Sequence, residues 1–380
     1  QNGDFSEQGS EEVSNGSFSQ EGAEQVTSFT NGTTYPFSTF TSLDNNITSA
    51  IINSNFAGCV SNSISVTSSQ IYKVSFNYTK NSGDDLRVVF SSVVSGAGAQ
   101  TSNAELVSTS GSITLYLTIS SSGTSYLQLG TASGSASIDF SISNFSVREV
   151  GQDWALQTGW SIAEDKAVYD GLSGTQPIVA INGAAPQVGK TYKVSFDVLE
   201  QGSGINSAFL GGVNFSATNL AIGSYVFYVT VTNRNRFQIY GRNGSVFSIT
   251  NISVKEVGQN WELQNGWSIG NNVAVFSGTA SAYRTIYQEN ILTVNNKYRL
   301  TFNIVSISSG SIENISQSNP ISYNTIGTKT EDFIATNASL FLKPITTADL
   351  SITNISIIEI TSDTSLPRIN YEGFSYQDAL

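Results

Sequence analysis

Three stretches of the chain alternate apolar and polar positions in the same way: "IYKVSFNY" (residues 71–78), "TYKVSFDV" (191–198) and "KYRLTFNI" (297–304). Tyr72, Val74 and Phe76 line one face of the first, Tyr192, Val194 and Phe196 the second, and Tyr298, Leu300 and Phe302 the third. Period two with one wet face predicts half-buried antiparallel strands. A second trio reads "SISNFSVREV" (141–150), "SITNISVKEV" (248–257) and "SITNISIIEI" (351–360). Here the alternation slips, because Ile142, Ile249 and Ile352 are each followed three positions later by Phe145, Ile252 and Ile355. One extra residue moves the apolar set to the other face, which is the work of a β-bulge. Asn144, Asn251 and Asn354 sit at the slip, and Asn tolerates the unusual dihedrals a bulge demands. They are expected to be structural.

The two trios delimit three copies of one plan. Residues 27–152, 153–259 and 260–361 are each expected to form a β-sandwich, with strands separated by Ser/Gly/Asn turns. "REVGQDWALQTGWSIA" (148–163) and "KEVGQNWELQNGWSIG" (255–270) spell the junctions, so close together that the domains should form a stiff row. Trp160 and Trp267 alternate with Ile162 and Ile269 and should point into the sandwiches. Trp154 and Trp261 follow each junction directly. They either cover the seam or stand exposed as sugar-stacking platforms. The first copy lacks both tryptophans. Residues 1–26 carry a repeat of their own, "NGDFSEQGSEEV" and then "NGSFSQEGAEQV", with a period of 13 residues. Each unit offers one Phe and one Val, too little for a core, so it reads as a flexible leader or as a strand that pairs with something else. Residues 362–380 break the pattern and read as a linker or the start of a further segment.

Composition narrows the chemistry. Of 380 residues only 12% are charged and the net charge is −12. An acidic chain with scattered Lys and Arg is a poor ligand for nucleic acid. Residues 1–30 hold Asp4, Glu7, Glu11, Glu12, Glu21 and Glu24 and no basic residue. No apolar run approaches a membrane helix. Histidine is absent, which removes the commonest general base and zinc ligand. The one cysteine, Cys59, allows no intrachain disulfide and suits a small core position. Methionine is absent as well, so a processed chain or a stretch of a longer product is expected. A glycosidase needs two carboxylates across one cleft, yet Asp84 and Asp85 are adjacent and Asp165, Asp170, Glu200 and Glu289 are scattered. No EF-hand or nonapeptide calcium spacing occurs. No enzyme activity, cofactor or metal is expected. The densest basic patch gathers Arg234, Arg236 and Arg242 around Tyr240, a candidate contact for an acidic glycan or protein arm.

"NWELQNGWSIGNNVAVFSG" (260–278), the following "KYRLTFNI" and "ITNISIIEI", the "NG-x-F" openings of the leader and "SLPRINYEGF" (365–374) together resemble the carbohydrate-binding-module-like β-sandwich repeats of tailed-phage virion appendage proteins, those of Bacteroidota phages above all. The first copy departs from the pattern, with "TNGTTYPFSTFTSLDN" in place of the Trp-rich opening. The resemblance implies tandem jelly-roll-like sandwiches in a fibre, spike or decoration, and carries over no ligand residue. The expectation is therefore an all-β, non-enzymatic virion protein. It would be a homo-oligomer, docked to other virion proteins by its acidic arm and touching host-surface glycans through Trp154, Trp261, Arg234, Arg236, Tyr240 or Arg242. The alternative is a secreted or cell-surface bacterial filament, adhesin or glycan-binding protein.

Overall fold

A computed structural model describes residues 2–361, apart from positions 35, 44, 45, 53–57, 95–99, 132–136, 173, 184, 202–206, 217–219, 243 and 280–283. The 362–380 segment lies outside the described residues. The described residues hold strands and turns and no helix, as their β-branched and turn-rich sequence expects.

Each copy closes as a jelly roll of two antiparallel sheets. In the first, one sheet runs Gly111–Thr118, Ile71–Gly83, Ile138–Val150, Asn46–Ile52, Thr39–Leu43, and the other runs Gln100–Val107, Leu86–Ser91, Gly123–Thr131, Gly58–Ser61, Phe29–Asn31. The second copy repeats this around Thr191–Gln201 and Phe247–Val257. In the third, Lys297–Asn314 and Leu340–Glu359 each turn the corner from one sheet into the other, so the two halves join into a single eight-stranded sheet. Gly310 makes the first corner at φ 75°, where a Cβ would stand 2.5 Å from that of Ala348.

The alternating strands bury the faces their sequence offers. Tyr72, Val74 and Phe76, and their counterparts in the other copies, fall in three separate apolar cores. Burial of such side chains contributes about 1.5–3 kcal/mol each. Trp160 and Trp267 enter the second and third cores, where their indole N–H groups donate to Gln176 O and Arg284 O. Cys59 is buried in the first core, and desolvation pushes its thiol up.

The copies meet with little slack. Val150 and Val257 end one sandwich yet pack into the core of the next. Gly151 and Gly258 follow at φ 76° and 71°, with room for no Cβ: Ile162 Cδ1 and Ile269 Cδ1 would lie 2.2 and 2.1 Å away. The turns close with Trp154 N donating to Gly151 O and Trp261 N to Gly258 O. Glu164 N also donates to Tyr116 Oη across the first junction, and Lys190 pairs with Glu262 at 2.8 Å across the second.

Candidate functional site

The closing strands carry the bulges at the sequence slip. Asn144, Asn251 and Asn354 adopt φ 54°, 53° and 53°, and the pairing with the neighbouring strand shifts register at each. At each bulge a backbone amide finds a partner outside the neighbouring central strand. In the first copy, Asn144 N is taken by Asn46 Oδ1. In the other two, the amide after the Asn points at the arm: Ile252 N donates to Gly16 O and Ile355 N to Gly3 O, both at 2.9 Å.

The N-terminal arm is a strap along its own sandwiches. Each 13-residue unit opens with Asn-Gly against one copy and ends with Glu-x-Val against the copy before it. Gly3 and Gly16 press on the bulged backbone so closely that a Cβ would lie 1.9 Å from Ile355 O or 1.8 Å from Ile252 O. Phe5 and Phe18 turn at φ 56° and 57° and bury against Trp261 and Trp154, with ring centroids 5.5 and 5.0 Å apart. The indoles donate to Asn2 O at 3.1 Å and Asn15 O at 3.0 Å. Farther along, Gln8–Glu11 adds to the strand Phe247–Val257, and Glu21–Glu24 adds to Ile138–Val150. Glu11 Oε1 accepts from Val254 N and Oε2 from Ser253 Oγ, both at 2.6 Å. Glu24 does the same with Val147 N at 2.7 Å and Ser146 Oγ at 2.5 Å. Val13 and Val26 then enter the second and first cores.

The strap decides between the alternatives left open by the sequence and removes Trp154 and Trp261 as glycan contacts. Trp154 and Trp261 are 3% and 2% exposed and lie beneath Phe18 and Phe5, so neither presents a ring to a sugar. The arm is no free leader, since its two phenylalanines, its two valines and three of its glutamates (Glu11, Glu21 and Glu24) are engaged by its own chain. In the first copy Phe29 opens the strand that Trp154 opens in the second, and it meets Phe145 edge-on at 4.9 Å. No arm phenylalanine covers it.

Electrostatics concentrates at the junctions. Glu12 packs near Glu256 and Glu11, and desolvation followed by their repulsion holds its carboxyl above the usual range. Desolvation likewise raises Glu256 and Glu149. Glu149 accepts from Gln70 Nε2 and faces a cavity of about 300 Å³ at the first junction, lined also by Gln152, Trp154, Leu156 and Ile181. It is the lone carboxylate there, so the cavity lacks the pair a glycosidase uses. Elsewhere Asp85 pairs with Lys80, Glu200 with Lys166, and Asp84 accepts from Ser137 N. Among the described residues no three His, Cys, Asp or Glu side chains are placed to hold a metal ion.

The basic patch of the second sandwich stays accessible. Gln238–Gly241 turns Gln238 and Tyr240 outward, Arg236 is half-buried, and Arg234 and Arg242 are exposed. Tyr240 meets Phe209 edge-on at 5.4 Å and donates to Gln238 Oε1. None of the three arginines forms an ion pair among the described residues.

No family model and no curated protein matches the sequence. Among solved structures, the tandem CBM22-1–CBM22-2 domain of Paenibacillus barcinonensis Xyn10C is similar at 12% identity and TM-score 0.21, over 62% of this chain and 98% of that one. A chain of Sulfolobus Turreted Icosahedral Virus is similar at 10% identity and TM-score 0.17, over 88% and 91%. Likenesses this slight assign no function.

Proposed function

We propose that the chain is a structural, non-enzymatic virion protein, a fibre, spike or decoration in which a row of jelly rolls is held in line by its own strap. The observation that supports this reading is the strap itself. Each 13-residue unit crosses one junction and engages the sandwiches on both sides, so bending a junction breaks buried contacts. A stiff spacer needs that property, and a catalyst gains nothing from it. Outward faces such as the Tyr240 patch are then carried in fixed register, and homo-oligomerisation would multiply weak contacts into avidity. The test is immunogold labelling of purified phage particles from a culture that produces the protein. Label at one fixed position on tailed particles is expected. Label confined to cell envelopes or free filaments would favour the secreted or cell-surface alternative.

A second reading, contact with acidic glycans, is favoured by the unpaired arginines around Tyr240. A glycan array should give signals on sulfated or uronic-acid sugars that disappear with Arg236→Ala or Tyr240→Ala. An array without signals would leave the structural role alone.

A further inference from the structure

The strap serves the three sandwiches unequally. Sandwiches one and two each receive a Glu-x-Val end, Glu24–Val26 and Glu11–Val13. The same place on sandwich three receives none among the described residues. The receiving groups are nevertheless repeated. Ser356 and Ile357 stand where Ser253 and Val254 stand in the second sandwich and Ser146 and Val147 in the first, two and three residues after the bulge Asn. Ile357 lies opposite Leu300 as Val254 lies opposite Val194 and Val147 opposite Val74, so its N–H and C=O face the same side. Val254 uses that side to accept from Glu12 N and to donate to Glu11.

The exposure differs in step with this among the described residues. Val147 and Val254 are buried and Ser146 and Ser253 half-buried, whereas Ile357 is half-buried and Ser356 exposed. Beside them opens a cavity of about 160 Å³ lined by Trp261, Gln288, Ile291, Leu340, Ile355, Ser356 and Ile357. Val13 fills the corresponding place on the second sandwich, where Gly183 lies against Glu12 O. The third sandwich has a loop two residues shorter between Gln288 and Tyr298 than the second has between Ala180 and Tyr192, and it brings Ile291 to the rim instead.

We propose that this groove is a docking site for an extended Glu-x-Val strand, with the carboxylate on Ile357 N and Ser356 Oγ and the valine in the cavity beside Trp261. The occupant is identified by the two filled copies of the same groove, where Glu11 and Glu24 take the equivalent amide and hydroxyl. Recognition is strand addition, with main-chain hydrogen bonds for affinity and one carboxylate and one apolar pocket for selectivity. The inference holds for a virion part and for a cell-surface filament alike.

The test titrates the full chain into a fluorescein-labelled, amidated peptide copying residues 7–13 and follows anisotropy. Saturable binding is expected. It should weaken at least about tenfold when the peptide carries Glu11→Gln or Val13→Asp, the scale of a lost hydrogen bond to a charged group. Ser356 is exposed, so Ser356→Asp should leave the melting temperature unchanged and abolish binding by repelling the carboxylate. Ser253→Asp, by contrast, should loosen the arm and leave peptide binding to the third sandwich in place. Absence of saturable binding overturns the proposal. So does binding that survives Ser356→Asp, since the peptide would then be replacing the chain's own strap. Self-association of the unliganded chain that Ser356→Asp abolishes, without peptide binding, would assign the groove to another surface of a second copy and also overturn it.

Discussion

Phe18 lies over Trp154 at 5.0 Å between ring centroids, although 136 positions separate them, and the indole N–H closes the contact by donating to Asn15 O. The pair joins the strap to the second sandwich at its junction with the first. Phe18→Ala should therefore destabilise the chain by about 3–5 kcal/mol, the cost of emptying a buried aromatic site. Phe209→Ala, on an outer face, should cost about 1 kcal/mol or less. Chemical denaturation followed by tryptophan fluorescence measures both, and equal losses would deny the strap its place in the core.

Gly16→Ala tests the close approach. A methyl group 1.8 Å from Ile252 O cannot be accommodated without moving the strap or the bulge. Limited proteolysis should cleave the variant between residues 14 and 24 at a rate at least about tenfold above the parent, as local opening by more than 1.4 kcal/mol requires. Ala23→Ser, at an exposed position of the same unit, should leave the rate unchanged.

The bulge makes a separate prediction. Asn251 holds φ 53° and its Nδ2 donates to Asp197 Oδ2 at 2.7 Å. Asn251→Ala should cost about 1–2 kcal/mol for a left-handed residue with a Cβ and no local hydrogen bond. Asn251→Gly should recover much of that loss, because glycine enters this region freely. Thermal melts of the two variants decide it, and an alanine variant as stable as the glycine one would refute the conformational account.

The junction carboxyls set a pH dependence. The folded state raises Glu12, Glu149 and Glu256 above the ordinary value of 4.5. A raised carboxyl binds its proton more tightly when folded, so its stabilising contribution is complete below the unfolded value and is lost as pH rises through the folded one. Melting temperature should thus rise as the pH is lowered from about 7 to about 5, before the remaining carboxylates protonate. Glu12→Gln should raise the neutral-pH melting temperature and flatten this slope. Asp332, lowered below 3.8 by Arg299, acts in the opposite sense and only at still lower pH.

Much of the architecture was legible in the alternation itself. Tyr72, Val74 and Phe76 declare an inward face because a strand's side chains have period two, and three such strands with three closing strands count three sandwiches. The slips at Asn144, Asn251 and Asn354 were visible for the same reason. What the slips accomplish was not, because the amide they release pairs with Gly3 and Gly16, far away in sequence. Trp154 and Trp261 were ambiguous on similar grounds. Nothing local to an indole that follows a junction says whether a second ring will cover it. The covering rings belong to two short units that have too few apolar residues to signal a fold.

By itself, then, the sequence determined the all-β class, the repeat, the inward faces and the positions of the bulges, since each is written in local periodicity and local dihedral preference. Only the tertiary structure decided that the acidic leader is a strap, that Trp154 and Trp261 are its seats, and that the third sandwich repeats a groove for a Glu-x-Val end. Those are pairings between residues as much as 259 positions apart, as Asn2 and Trp261 are. A pairing of that range leaves no periodic trace on either partner and is fixed only when the sandwiches have closed and set their edges side by side.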